Sequence, residues 1–66
     1  MGERITGREK QILKLIDQGL TNKEIANSLN LSISTVNNHC SKIYSKLQVK
    51  DRFEASERAK EEGFLQ

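Results

Sequence analysis

Helix-start signals recur along this sequence, and no proline interrupts the segments that follow them. Thr6 and Thr21 are each followed three residues later by a glutamate, which is the spacing of a helix capping box. Ser32 and Asp51 are two further residues of the type that caps helix N-termini. Because no segment shows a convincing strand pattern, these signals predict an all-α chain of four short helices.

Apolar residues recur at helical spacing after each start signal, so the helices can be given approximate bounds. We expect them at about residues 6–18, 22–29, 33–47 and 52–62. The third helix has the most regular stripe, which consists of Val36, Cys40, Ile43, Tyr44 and Leu47. A chain of 66 residues has room for one domain, so residues 1–66 are expected to form one compact orthogonal bundle.

The composition excludes several classes of protein and of site. The chain has one cysteine, Cys40, and one histidine, His39, so no disulfide and no set of metal ligands is expected. It has no glycine-rich phosphate loop and is too short to build a cleft, so we expect no enzyme, no cofactor and no small-molecule ligand. No apolar run approaches the roughly 18 residues of a membrane span. A lone thiol without a secretory signal indicates a cytoplasmic protein.

Three residues around the third helix have both a structural and a functional interpretation. Cys40 lies on the apolar stripe and is expected to be a small core residue rather than a redox sensor. His39 borders that stripe, so it is either half-buried or in contact with a phosphate. Arg52, at the start of the fourth helix, is expected to be a structural anchor.

Charge is distributed unevenly, although the net charge is only +2. Residues 1–31 carry five basic and four acidic side chains, and residues 51–66 carry three basic and five acidic ones. Residues 32–50 carry three lysines and no acid, and these are Lys42, Lys46 and Lys50. A local basic face of this kind indicates a polyanionic partner better than the net charge does.

Helices 22–29 and 33–47, joined by a short turn, have the order of a helix-turn-helix, in which the second helix enters the major groove of DNA. The outward side chains of that helix can all donate a hydrogen bond or carry positive charge. We expect base contacts from Asn37, Asn38 and Ser41, since asparagine matches adenine edges. The two helix starts and the lysines predict contacts to the DNA backbone from Asn22, Lys23, Ser34, Thr35, Lys42 and Lys46.

A family resemblance covers nearly the whole chain. It is carried by the runs 5–9 (Ile-Thr-Gly-Arg-Glu) and 19–26 (Gly-Leu-Thr-Asn-Lys-Glu-Ile-Ala), followed by single matching positions. Those positions are Leu31, Ser32, Thr35, Val36, His39, Ile43, Lys46, Leu47, Val49, Arg52 and Ala55. The chain resembles the C-terminal output domain of LuxR/FixJ-type transcription regulators, also called the GerE-like domain.

The resemblance implies a bacterial transcription regulator, either a response-regulator output domain or a stand-alone GerE-like protein. It implies double-stranded DNA and RNA polymerase as partners, and a homodimer that binds half-sites about one helical turn apart. Members of the family commonly use the fourth helix for the dimer contact. Here that suggests Ser56 and Arg58, with Ala55 and Ala59 either packing inward or forming a close dimer seam.

The chain departs from the family at Asn37, where a lysine or arginine usually follows the Thr-Val pair. Asparagine shifts the expected base at this position from guanine toward adenine. Ser41 also replaces a position that is often longer and basic. We therefore expect modest affinity and a shallow dependence on salt, because few phosphates are neutralised.

Two other interpretations compete with this one. The chain could be a protein-interaction module or antagonist that keeps the fold without binding DNA, which the weak charge and the absent lysine favour. It could also resemble region four of a sigma factor and bind DNA within polymerase holoenzyme. The run 22–26 (Asn-Lys-Glu-Ile-Ala), with the Arg-x-x-Ala pattern downstream, favours the LuxR/FixJ interpretation over that third one.

Overall fold

The computed structural model describes residues 4–65. Within them the chain forms four α-helices and no strand, which confirms the all-α prediction. The helices are α1 (Gly7–Asp17), α2 (Asn22–Leu29), α3 (Ile33–Leu47) and α4 (Arg52–Glu61). Each observed bound lies within one residue of the expected one.

Side chains at all four helix starts bond to free backbone amides. The hydroxyl oxygens of Thr6 and Thr21 each accept a hydrogen bond from the amide three residues on, at 3.2 and 3.1 Å. The glutamates at those positions accept from the threonine amides, both at 2.8 Å, which completes two capping boxes. Ser32 and Asp51 cap α3 and α4 in the same way, at 3.1 and 2.9 Å. These caps explain why the sequence indicates the helix starts so well.

All four helices end in the same tight turn. A residue in the left-handed conformation follows each helix, at Gly19, Asn30, Gln48 and Gly63. The amide after it then bonds to the carbonyl five residues back, as from Leu31 to Ala26 at 2.8 Å and from Phe64 to Ala59 at 2.8 Å. This turn directs the next apolar residue onto the core, where Leu20, Leu31, Val49 and Phe64 pack.

Helix α3 lies against all three other helices and supplies much of the core. Its buried side chains are Val36, Cys40, Ile43 and Leu47. They pack with Ile12, Leu13, Ile16, Ile25, Ala26, Ala55 and Ala59. Burial raises the pKa of the Cys40 thiol, so this cysteine is an unreactive core residue, as expected. Since one side of α3 is fully used in packing, the opposite side is free for a partner.

Candidate nucleic-acid interface

The outer face of α3 is polar and carries no acidic side chain. Its centre is formed by residues spaced four, three and four apart, which places them in one row opposite the core. These residues are Ser34, Asn38, Ser41 and Ser45, and all four are exposed. Asn37 and Lys42 are exposed on the two flanks of this row. We refer to these six residues as the α3 outer face.

The three predicted base-contacting residues, Asn37, Asn38 and Ser41, therefore lie together on one accessible surface. Short side chains dominate this surface, so a bound molecule can approach the helix backbone closely. Asparagine and serine offer both donors and acceptors, which is the chemistry that reads base edges in a groove.

The starts of α2 and α3 flank this surface. The turn between the two helices spans residues 30–32. Lys23 is exposed in the first turn of α2, and no ion pair involves it among residues 4–65. Ser34 is exposed in the first turn of α3, whereas Thr35 is half-buried and its hydroxyl lies 2.9 Å from that of Ser32. Free amides at these two helix starts form natural seats for phosphate groups.

Asn22 links three helices instead of pointing freely outward. Its Nδ2 donates to Oδ1 of Asn37 at 2.7 Å. Its Oδ1 accepts from the Arg52 guanidinium at 3.3 Å and faces Sγ of Cys40 at 3.8 Å. The anchoring role predicted for Arg52 is confirmed, and its partner is Asn22. The side chain of Asn22 is therefore occupied, and its contribution to phosphate binding is limited to its position at the start of α2.

The predicted contact of Lys46 with the DNA backbone is corrected by the structure, because Lys46 has a partner within the chain. Its Nζ lies 2.9 Å from both carboxylate oxygens of Glu9 and 3.1 Å from the carbonyl oxygen of Arg4. The side chains of Lys46 and Glu9 are only 13% and 4% exposed. Lys46 thus ties α3 to α1 and is not a free cation for the DNA backbone.

The pairing with Lys46 affects the pKa of the Glu9 carboxyl group. Burial alone would raise its pKa, but hydrogen bonds from Lys46 and Thr6 and the nearby ammonium charge outweigh burial. The pKa of Glu9 is therefore lowered from its ordinary value of 4.5, and the pair is ionic. The local sequence predicts only the capping role of Glu9, because Lys46 lies 37 residues further along the chain.

The basic surface is thus smaller than the sequence suggested. Lys50 lies 3.9 Å from Glu54 in an exposed pair, and such pairs are weak. Lys42 is the one lysine of α3 without an ion pair among residues 4–65. Lys42 and Lys23 are therefore the cations best placed for phosphate contacts. A shallow salt dependence remains the prediction, because few free cations lie on this surface.

The exposed part of α4 differs from the predicted dimer surface. Ala55 and Ala59 have no exposed area, because the other helices cover them. This corrects their assignment to a dimer seam, since a second chain could not touch them without opening the core. Ser56 is half-buried, and its hydroxyl donates a hydrogen bond to Oδ1 of Asp17. Nε of Arg58 lies 3.6 Å from Oε1 of Glu61. Phe53, which is 77% exposed, is the large apolar side chain that α4 presents to solvent.

Other kinds of site find little support among residues 4–65. No group of three or more histidine, cysteine, aspartate or glutamate side chains is arranged to hold a metal ion there. His39 is half-buried at the edge of the core stripe, which fits its structural interpretation. Within the same range, every helix is too short or too polar to cross a bilayer.

Comparison with known proteins gives consistent matches. Residues 3–59 match the family described as bacterial regulatory proteins, luxR family. The transcriptional regulatory protein DesR of Bacillus subtilis is 46% identical over 61 residues, which cover 92% of this chain and 31% of DesR. The response regulator protein VraR of Staphylococcus aureus is 49% identical over 53 residues, which cover 80% of this chain and 25% of VraR. The chain thus spans about a quarter to a third of the curated relatives it matches.

Solved structures agree with this assignment. The transcription factor GerE superposes with a TM-score of 0.86 at 36% identity, covering 92% of this chain and 91% of that one. The response regulator ChrA, from a haem-sensing two-component system, superposes with a TM-score of 0.92 at 36% identity, covering 96% of this chain and 31% of that one. The chain belongs to the luxR family of bacterial regulatory proteins, as a helix-turn-helix domain of transcription regulators and not an enzyme.

Proposed function

We propose that this domain binds double-stranded DNA sequence-specifically, with α3 in the major groove. The observation that supports this most strongly is the α3 outer face, a polar surface without acids on the second helix of a helix-turn-helix. Asn37, Asn38 and Ser41 would contact base edges. Contacts to the DNA backbone would come from Lys23, Ser34, Thr35, Lys42 and the start of α2 at Asn22.

We also propose a homodimer that uses the exposed side of α4. Phe53 is the exposed apolar group on that side, and Ser56 and Arg58 are half-buried on its two flanks. A two-fold dimer would place two α3 helices on half-sites about one helical turn apart. The names of two relatives, a transcriptional regulatory protein and a response regulator protein, support a role as the output domain of a response regulator. We place this role in the bacterial cytoplasm and propose that contact with RNA polymerase carries the signal.

Asn38→Ala and Lys42→Ala should weaken DNA binding in different ways. Asn38→Ala should reduce discrimination between a selected duplex and its single-base variants by roughly five- to a hundredfold at one position, because a base contact is lost. Lys42→Ala should weaken binding to every duplex and reduce the slope of log affinity against log salt by about 1, because one phosphate contact is lost. Fluorescence anisotropy titrations at several salt concentrations measure both effects.

If both variants lose discrimination equally, or if neither loses any, the division into base and backbone contacts is wrong. The same titrations also separate DNA binding from the competing protein-interaction interpretation. If the unmodified domain binds no duplex at low salt and high micromolar concentration, the protein-interaction interpretation replaces DNA binding.

A further inference from the structure

We propose that Arg52 and Asn22 set the orientation of the Asn37 amide, so that Asn37 presents a hydrogen-bond donor to the groove and favours guanine. This inference rests on the proposed function, because it concerns which base the α3 outer face selects. It assigns two positioning residues, neither of which needs to touch DNA through its side chain, and it reverses the adenine preference expected from asparagine alone.

We refer to the hydrogen bonds from Arg52 to Asn22 and from Asn22 to Asn37 as the relay. It starts at the Arg52 guanidinium, a group that can only donate. The guanidinium of Arg52 has no acceptor atom, so the atom of Asn22 that faces it at 3.3 Å must be the amide oxygen. The thiol of buried Cys40, 3.8 Å away, faces the same oxygen and can donate to it. Two donors on two different helices therefore determine which end of the Asn22 amide points toward α4 and the core.

The orientation of Asn22 then determines that of Asn37. With its oxygen held by Arg52, Asn22 turns its Nδ2 toward α3 and can only donate there. The contact of 2.7 Å to Asn37 is satisfied when Oδ1 of Asn37 is the acceptor. The Nδ2 group of Asn37 consequently lies at the end of the amide away from Asn22. Asn37 is exposed and Asn22 is half-buried, so the relay runs from the interior to the surface.

The outward donor changes the base that fits best. An asparagine with both ends free accepts from N6 and donates to N7 of adenine. An asparagine whose oxygen already accepts from Asn22 offers mainly its two N–H donors. Guanine presents two acceptors in the major groove, O6 and N7. Adenine presents one acceptor beside a donor, thymine presents one acceptor beside a methyl group, and cytosine presents a donor. Guanine is therefore the base that matches Asn37 in this structure.

Asn22→Asp tests the relay, because a carboxylate accepts hydrogen bonds at both oxygens. It can still accept from Arg52, but the oxygen facing α3 now requires a donor, so the Asn37 amide turns around and presents its oxygen. We expect the guanine-to-adenine affinity ratio at one base pair to fall by on the order of tenfold, toward bases that donate. The readout is the set of affinities for four duplexes that differ only at the base pair whose preference Asn37→Ala removes.

Controls separate orientation from charge and from folding. Lys23→Gln changes the net charge by the same amount and should weaken binding to all four duplexes without changing their ratios. The double variant Asn22→Asp with Asn37→Ala should show no base preference at this position. Arg52→Met, which removes the first donor of the relay, should bring the guanine and adenine affinities to within about threefold. Circular dichroism shows whether each variant is folded. If Asn22→Asp does not fold, Arg52→Met provides the test of the relay.

Two results would overturn the relay. One is a preference of the unmodified domain for adenine, thymine or cytosine at the base pair that depends on Asn37. The other is an unchanged ratio in a folded Asn22→Asp or Arg52→Met variant. A complete lack of sequence preference in the unmodified domain is a different outcome, which contradicts the proposed function itself.

Discussion

Ser41→Glu is expected to abolish sequence-specific DNA binding while leaving the fold intact. Ser41 is exposed at the centre of the α3 outer face, and glutamate is a good helix former at an exposed position. The introduced carboxylate would face base edges and phosphates without a cation to pair with. Like-charge contacts of this kind cost several kcal/mol, so we expect the affinity to fall at least about a hundredfold.

Anisotropy titration of a selected duplex measures this loss, and the thermal unfolding midpoint reports on the fold. Gln11→Glu is the matched control, because it makes the same charge change at an exposed position of α1. Its affinity should stay within about threefold of the unmodified domain. A Ser41→Glu variant that binds as tightly as the control would place the DNA elsewhere on the molecule.

Lys46→Met should destabilise the domain more than it weakens DNA binding. The substitution leaves the Glu9 carboxylate buried and without its cation, although Thr6 still donates to it. Breaking a fully buried ion pair costs about 3–5 kcal/mol, and the slight exposure of Lys46 lowers our expectation to about 2 kcal/mol. A chain of this length has a total stability of roughly 3–10 kcal/mol, so the loss is large. Urea unfolding at pH 7 measures it.

Unfolding measurements at several pH values test whether the unpaired Glu9 carboxylate causes the loss of stability in Lys46→Met. Because its pKa is lowered in the folded chain, its contribution to stability is present above the unfolded pKa and is lost as the pH falls through the folded pKa. The cost of Lys46→Met should therefore shrink between pH 7 and pH 3, as Glu9 becomes protonated. In a Glu9→Gln background the same substitution should cost less than about 1 kcal/mol at pH 7. A full cost in that background would contradict the ion-pair explanation.

Local rules predicted much of this molecule. The capping residues Thr6, Thr21, Ser32 and Asp51 indicated the helix starts because their hydrogen bonds reach only three residues along the chain. The spacing of apolar residues identified the buried side of α3, and with it the exposed side that carries Asn37, Asn38 and Ser41.

Contacts between distant residues could not be predicted in the same way. Lys46 and Glu9 are 37 residues apart, and Arg52 and Asn22 are 30 residues apart. Nothing in the local pattern of α3 distinguishes Lys46, which is paired, from Lys42, which is exposed without a partner among the described residues. Small residues at helical spacing fit a core or an interface equally well, and only the packing of α4 resolved Ala55 and Ala59 as core.

The most direct test of the central claim is a selection of bound sequences from a random pool of duplex DNA, followed by affinity measurements on the unmodified domain. The selected duplex and a scrambled duplex of the same composition are compared at physiological salt. DNA reading by the α3 outer face predicts an enriched motif that binds at least about a hundredfold more tightly than the scrambled control. Equal affinity for the two duplexes, or no enriched motif, would contradict it.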